Sequence, residues 1–377
     1  MTGVDEATAW VALRAAPGVG DVRGRKLVDH FGGPRAIQAA SADQLAAVGC
    51  ARGLADVLGE RHALAAARLE VERIAAVGAR LVALDDPEYP VALRELRDAP
   101  LYLIAKGARL LEGPAVAIVG ARRATPYGLE IARHLAEYLA QAGVTVVSGL
   151  ARGIDGAAHE GALAVRGCTL AVLGSGIDVI YPREHLSLAE RVIGTGTLLS
   201  ERPVGAAPLA AHFPARNRIL AGMTQGTVVI EAAERSGSLI TARLANENGR
   251  EVFAVPGHID SPLSFGAHLL IREGATLVRS VEDVLEQITP ALRARAAGHG
   301  TTIAGGDTSE SGSADGRVLE LLAAGSVSID ELIRGSARPA HEIVACMLDL
   351  ELRGVIRQLP GRQFQLTGRF AGVGGLQ

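Results

Sequence analysis

Residues 148 to 159 read SGLARGIDGAAH and hold a serine, an arginine, an aspartate, a histidine and three glycines within twelve positions. Two chemistries fit these types. Ser148, Asp155 and His159 are the letters of a nucleophile, an orienting acid and a base. Alternatively, Arg152 with Gly149, Gly153 and bare backbone N–H groups makes a cradle for an anion. Position in the fold decides between them.

The elements around this stretch alternate. Short apolar runs, AVAIV (115–119), VTVVS (144–148), TLAVL (169–173), TLLS (197–200), TVVIEA (227–232) and EVFAV (251–255), read as strands buried on both faces. Amphipathic segments separate them. TPYGLEIARHLAEYLAQAG (125–143) has Thr125 as N-cap, Pro126 at the first helical position and Gly143 past the end. SLITARLANENG (238–249) is a second helix. The fold class expected is α/β, an extended Rossmann-like, doubly wound, mostly parallel sheet over residues 80–290. Such sheets bind ligands beyond the carboxyl ends of their strands.

The loops at those ends are rich in Gly, Ser and Arg. AVAIV runs into GARRAT with Arg122 and Arg123, and VTVVS into Ser148, Gly149, Arg152 and Gly153. TLAVL runs into Gly174, Ser175 and Gly176, and TVVIEA towards Ser236, Gly237 and Ser238. Backbone N–H groups, helix N-termini, hydroxyls and guanidinium groups together describe a multi-site phosphate cradle. GARRATPYG lacks GxGxxG, GSGID lacks the third glycine and GxxxxGK[ST] is absent, so no nucleotide cofactor is expected.

As a triad the opening stretch is badly placed. Asp155 precedes GAAHEGALAV, an evident helix, and reads as its N-cap; His159 reads as a helix–sheet contact or a groove contact. Ser148 is not in a GxSxG elbow. No residue is therefore expected to be catalytic. FPARNRILAGM (213–223) reads as a short helix begun by Pro214. Arg216 and Arg218 lie two apart, flanking Asn217, so they occupy different faces. One faces the cradle; the other pairs with an acid such as Glu201 or Glu231.

The bulk numbers limit the rest. The 377 residues allow two or three domains, and 48 % apolar content makes a globular chain. The formal net charge of −3 argues against binding nucleic acid by bulk charge, not against a local basic pocket. Lys26 and Lys106 are the only lysines. The arginine excess fits bidentate phosphate recognition or a compositional bias. Cys50, Cys168 and Cys346 have no metal or disulfide spacing, and no signal segment or membrane-spanning run is evident. A cytoplasmic location without membrane contact is expected.

GARRAT, SGLARGIDGAAH, AVLGSGIDVIYP, FPARNRILAG, VIEAAERSGSLITAR and GREVFAVPG, in this order, resemble the DNA-processing protein A (DprA/Smf) family over Leu81 to Ile288. The resemblance implies a homodimeric, non-enzymatic protein that binds single-stranded DNA. It also implies loading of RecA onto incoming strands in natural transformation. By motif it places Arg122, Arg152, the Gly174–Ser175–Gly176 loop and Arg216–Asn217–Arg218 along the strand groove. One departure is SFGAHLLIREGA (264–275), where Ala267 and His268 stand in place of the usual Asn-containing segment. Tyr127, Tyr181 and Phe213 are the aromatics available for base stacking.

Two modules flank this region. Residues 1–75 resemble a SAM or helix-hairpin-helix domain built around PGVG (17–20), and ADQLAAVGCARGLADVL has a similar pattern. A Gly/Ala/Ser/Thr-rich linker spans 291–316, and 317–370 resembles a winged helix with Ser328 and Asp330 near a helix start. Glu342, Asp349 and Glu351 offset Arg338 and Arg353, which favours protein contact over major-groove binding. The competing enzyme reading is a nucleotide phosphoribohydrolase of the lysine-decarboxylase-like type. Its PGGxGTxxE motif should enter a helix, whereas QGTVVIE (225–231) enters a strand. A pure interaction scaffold leaves the Gly/Ser/Arg strand ends unexplained.

Overall fold

The computed structural model describes residues 2–49, 54, 58, 61–108, 110–111 and 113–288. Of the carboxyl-terminal region it describes 318, 321–322, 327–336, 343, 346–347, 350, 355–359 and 363–366. The linker at 291–316, Cys50, and Arg338, Glu342, Asp349, Glu351 and Arg353 lie outside the described residues.

Residues 1–140 and 144–284 form one compact unit. It begins with helices α1 (Thr2–Ala15), α2 (Asp21–Phe31), α3 (Pro34–Ala39), α4 (Ala42–Ala47) and α5 (Arg61–Ala76). Gly32 ends α2 with a φ of 87°, and Ser41 with Gln44 closes a capping box on α4. The sheet follows as β1 (Arg80–Ala83), β2 (Tyr102–Gly107) and β3 (Ala115–Gly120), with short helix α6 (Val91–Arg94) after β1. Next come α7 (Pro126–Gln141), β4 (Thr145–Ser148), α8 (Ile154–Ala164), β5 (Thr169–Gly176), α9 (Leu186–Thr195) and β6 (Thr197–Arg202). Then α10 (His212–Met223), β7 (Gly226–Ile230), α11 (Gly237–Glu247), β8 (Glu251–Ala254), α12 (Phe265–Arg272) and β9 (Thr276–Leu277) complete it.

The strand order is β1-β2-β6-β5-β4-β3-β7-β8-β9. Strands from β6 across to β9 pair in parallel. Strands β1 and β2 add an antiparallel edge. All six expected strands form. The order reverses between β3 and β7, so the crevice for a ligand opens at the ends of those two strands.

The core is continuous. Trp10, Leu13 and Leu27 of the helices belong to the same buried cluster as Leu103, Ile104 and Leu199 of the sheet. The change from a helical to an alternating pattern near residues 75–80 falls inside this compact unit.

The second unit holds β10 (Val327–Ser328), α13 (Ile329–Ser336), β11 (Ile356–Leu359) and β12 (Gln363–Leu366). The strands form a sheet in the order β10-β12-β11. Val318, Leu332, Ile343, Met347 and Phe364 build its own core. Ser328 heads α13, its hydroxyl accepting from the Glu331 N–H while the Glu331 carboxylate accepts from the Ser328 N–H.

Candidate nucleic-acid interface

The crevice starts at Gly120. A Cβ there would lie 1.8 Å from the Ile230 carbonyl oxygen, so only glycine lets β3 and β7 end side by side. The chain then turns through Arg122 and Arg123, both exposed. Glu231 holds this turn. Its carboxylate accepts the Thr125 N–H at 2.8 Å and the Thr125 hydroxyl, while that hydroxyl accepts from Gly128 N at 3.2 Å. Thr125 thus caps α7, as its position before Pro126 suggests.

A cavity of about 480 Å³ opens here, lined by Arg122, Asp155, Phe213, Arg216, Asn217 and Ser236 among others. Phe213 is its centre. The Arg122 guanidinium carbon lies 5.3 Å and that of Arg216 5.8 Å from the ring centroid, and the Tyr181 ring stands 6.2 Å away. Gly174 makes room for this ring, since a Cβ there would come within 3.1 Å of it.

Arg216 is buried and fixed. It donates to the Val172 carbonyl at 2.6 Å and to Asn217 Oδ1 at 3.1 Å. Gly149 leaves it space, for a Cβ would sit 1.9 Å from its Nη1. Burial pulls the Arg216 guanidinium below its ordinary value, and the charge of Asp155 opposes that. Burial pushes the Asp155 carboxyl up, against the pull of Arg216 and of two backbone N–H groups.

Several expected roles change. Asp155 is not the N-cap of α8; Gly153 is, and Asp155 lies in the first turn. Its carboxylate reaches back to the N–H groups of Gly149 at 3.1 Å and Ala151 at 3.3 Å. Those donors are filled by an internal anion rather than left bare. Gly153, with a φ of 74°, lets this loop pass the Ala121 carbonyl, 2.2 Å from where a Cβ would stand.

Ser148 does not face the crevice. It is fully buried and its hydroxyl donates to the Ile118 carbonyl at 2.6 Å. Gly174, Ser175 and Gly176 are not a loop but the end of β5. The Ser175 hydroxyl donates to Val179 O at 2.6 Å and the Gly176 N–H to Ala206 O at 2.9 Å, so neither is offered to a ligand. Arg218 points away from the cavity and pairs with Glu201 and Asp21, at 2.7 and 2.8 Å. The division of labour within Arg216–Asn217–Arg218 therefore holds, with Arg216 and Asn217 as the cavity members.

Ser236, Gly237 and Ser238 line the cavity together with Arg122, where Ser236 caps α11 by accepting the Ser238 N–H. Helix α10 begins at His212, two residues before Pro214. Arg152 is exposed and forms an ion pair with Glu184. Sequence reading missed Glu184, because a carboxylate partner thirty-two residues away leaves no local signal. It also missed the 203–210 segment, which contributes Pro208 and Ala210 to the wall.

His159 is fully buried, with Nδ1 2.7 Å from the Thr169 hydroxyl. Thr169 spends its proton on the Val146 carbonyl at 2.8 Å, so His159 Nδ1–H donates and Nε2 has no partner. Burial, with the charges of His185 and Arg216, pulls the imidazole down to about 3. This is core filling, with neither Ser148 nor Asp155 bonded to the ring. At the Ala267–His268 departure, Ala267 is buried and the His268 ring stands 3.1 Å from the Gly257 carbonyl. The QGTVVIE segment enters β7 rather than a helix, and its Glu231 accepts from Thr125. Among the described residues no cluster of three His, Cys, Asp or Glu could hold a metal, and no helix is long and apolar enough to cross a membrane.

The fold is thus a doubly wound α/β sheet with an arginine- and aromatic-lined cavity at its switch point, the place where such sheets bind their ligands. Residues 80–289 match the family model for DNA recombination-mediator protein A, and residues 304–362 that for the DprA winged helix domain. The chain belongs to the DNA recombination-mediator protein A family. It is 41 % identical over 288 residues to Protein Smf of Escherichia coli, covering 76 % of this chain and 77 % of that one. The crystal structure of DNA processing protein A from Streptococcus pneumoniae superposes with a TM-score of 0.62 at 36 % identity, covering 74 % and 97 % of the two chains. A DNA processing protein A from Helicobacter pylori, studied for its single-stranded DNA binding mode, gives 0.51 at 30 % identity and 56 % and 97 % coverage.

Proposed function

We propose that the protein is a recombination mediator that binds single-stranded DNA, shields incoming strands and loads RecA onto them during natural transformation. The single observation behind the DNA reading is the cavity in which Arg122 and Arg216 flank the Phe213 ring at the sheet's switch point. A guanidinium and an aromatic face together suit a phosphate beside an unstacked base. The named ligand of the Helicobacter pylori relative supports the same class. In this reading Arg122 and Arg123 supply charge, and Arg152 exchanges Glu184 for a phosphate. Arg216 and Asn217 shape the floor, and the Ser236–Gly237–Ser238 turn offers the amino end of α11 to the backbone. Gly149, Gly153, Gly174 and Gly176 support these residues by close packing.

The protein works as a cytoplasmic homodimer without a cofactor or turnover. In this reading the helices of 1–75 buttress the DNA-binding sheet of 80–290 within one compact unit, and the carboxyl-terminal region that matches the DprA winged helix domain serves protein contact. Fluorescence anisotropy of a labelled oligonucleotide at two salt concentrations tests the central part. Single-stranded DNA binds, more tightly than duplex, with affinity falling as salt rises. Equal or tighter duplex binding, or none to either, overturns it. Purified protein with nucleoside monophosphates releases no base; detectable release overturns the non-enzymatic reading. RecA filament assembly on single strands rises when the protein is added; no rise overturns the loading role.

A further inference from the structure

Helix α10 works on two sides. Phe213, Arg216, Asn217 and Leu220 face the cavity. Arg218, two residues past Arg216, turns about 200° away round the helix. There it enters a largely shielded network of charges drawn from distant segments, with Arg14, Asp21, Glu201 and Arg218 at its centre. Arg218 Nη2 donates to Asp21 Oδ2 at 2.8 Å and to Glu201 Oε2 at 2.7 Å, and Nη1 donates to the Asp98 carbonyl. Arg14 donates to the Glu201 carbonyl at 2.6 Å and to Glu201 Oε2 at 3.3 Å, and its Nε lies 3.5 Å from Asp21 Oδ1.

Two guanidinium groups face two carboxylates at its centre, with Glu201 only 3 % exposed, while Arg202 holds Glu201 Oε1 at 3.1 Å and the Asp98 carboxylate lies 3.9 Å from Arg218 Nε at its edge. Removing one member leaves Glu201, the most buried of them, and its neighbours with an unbalanced charge, so the four central members are energetically coupled. Asp21 opens α2, directly after the PGVG turn, and Arg14 lies in the last turn of α1. The amino-terminal hairpin therefore feeds its acid into the seam with α10. A second strap supports it. Glu70 of α5 accepts the Val204 N–H at 2.8 Å, tying the helices to the 203–210 segment that walls the cavity.

We infer that Asp21, Arg14, Glu201 and Arg218, with Glu70, form a clamp through which the amino-terminal helices position α10 and hence Phe213 and Arg216 in the cavity. The DNA part of this inference rests on the single-stranded DNA reading above. These are positioning residues; Arg14, Asp21 and Glu201 lie outside the cavity lining, as do Arg218 and Glu70.

The test uses the full chain with Asp21→Asn, Arg218→Met and both together, each with and without a Phe213→Trp reporter. Affinity for an oligonucleotide falls about tenfold in each single variant, the scale on which coupled networks modulate a distant site. The slope of log affinity against log salt stays at the parent value, because no phosphate contact is lost. The double variant loses less than the product of the singles. The difference spectrum of the introduced indole shifts in variants that remain folded at the assay temperature. Should Asp21→Asn not fold, Glu70→Gln carries the same test through the 203–210 wall. Parent affinity with an unshifted reporter spectrum in folded variants overturns the clamp. If the parent itself fails to bind single strands, the reading of the site falls. The reporter spectrum then decides the clamp alone, a shift supporting it and no shift overturning it.

Discussion

His159→Asn isolates the share of acid stability that one buried imidazole of α8 supplies. In the fold the neutral imidazole donates from Nδ1 to Thr169 and leaves Nε2 buried without a partner. A second proton there has no acceptor, which agrees with its pull from 6.5 down to about 3. The unfolded chain takes the proton near 6.5, whereas the folded one resists until about 3. The contribution is therefore complete above the unfolded value and is lost as pH falls towards the folded one. Its slope is about 1.4 kcal/mol per pH unit once below 6.5, so from pH 7 to pH 5 the loss is about 2 kcal/mol. Asparagine keeps a donor for Thr169 and does not titrate. Urea unfolding followed by Trp10, the only tryptophan and buried in the same unit, measures both proteins at the two pH values. The difference between the proteins narrows by about 2 kcal/mol on acidification. Parallel pH dependence in the two would refute the buried, unpartnered imidazole.

Other predictions follow from close contacts. Gly149→Ala places a Cβ 1.9 Å from Arg216 Nη1 and drives the guanidinium off the Val172 carbonyl. Breaking such a buried charged contact costs about 3–5 kcal/mol, read as a lower urea midpoint with single-strand binding lost; parent stability counts against the contact. Glu184→Gln frees Arg152, and affinity for single strands rises about threefold, the scale of an exposed ion pair. Lower affinity would show Glu184 to be a support rather than a competitor.

Much of the fold is legible in the sequence, for a physical reason. A strand covered on both faces must be apolar throughout, so β3 to β8 stand out as runs such as AVAIV and TVVIEA. Their parallel pairing then follows from the alternation with helices. Strands β1 and β2 do not stand out in this way, since they form an antiparallel edge outside that alternation. The Gly/Ser/Arg content of the strand ends locates the crevice. Individual roles are less legible because they depend on neighbours far along the chain. Gly174 and Gly176 read as a loop, yet each is small to admit a packing partner, Phe213 in one case and the 203–206 turn in the other. Asp155 reads as a cap, but Gly153 takes that place and makes the sharper turn. Arg218 differs from Arg216 only by helical phase, and the acids that claim it come from residues 21 and 201.

The most direct measurement is the salt dependence of single-stranded DNA binding for the parent, Arg122→Ala and Arg152→Ala. Arg122 is exposed at the cavity mouth against Phe213, and Arg152 stands on the neighbouring loop. Each variant binds more weakly, and its slope of log affinity against log salt falls by about 0.7, one phosphate contact on a single strand. Unchanged affinity and slope in both variants would contradict the assignment of this cavity to DNA.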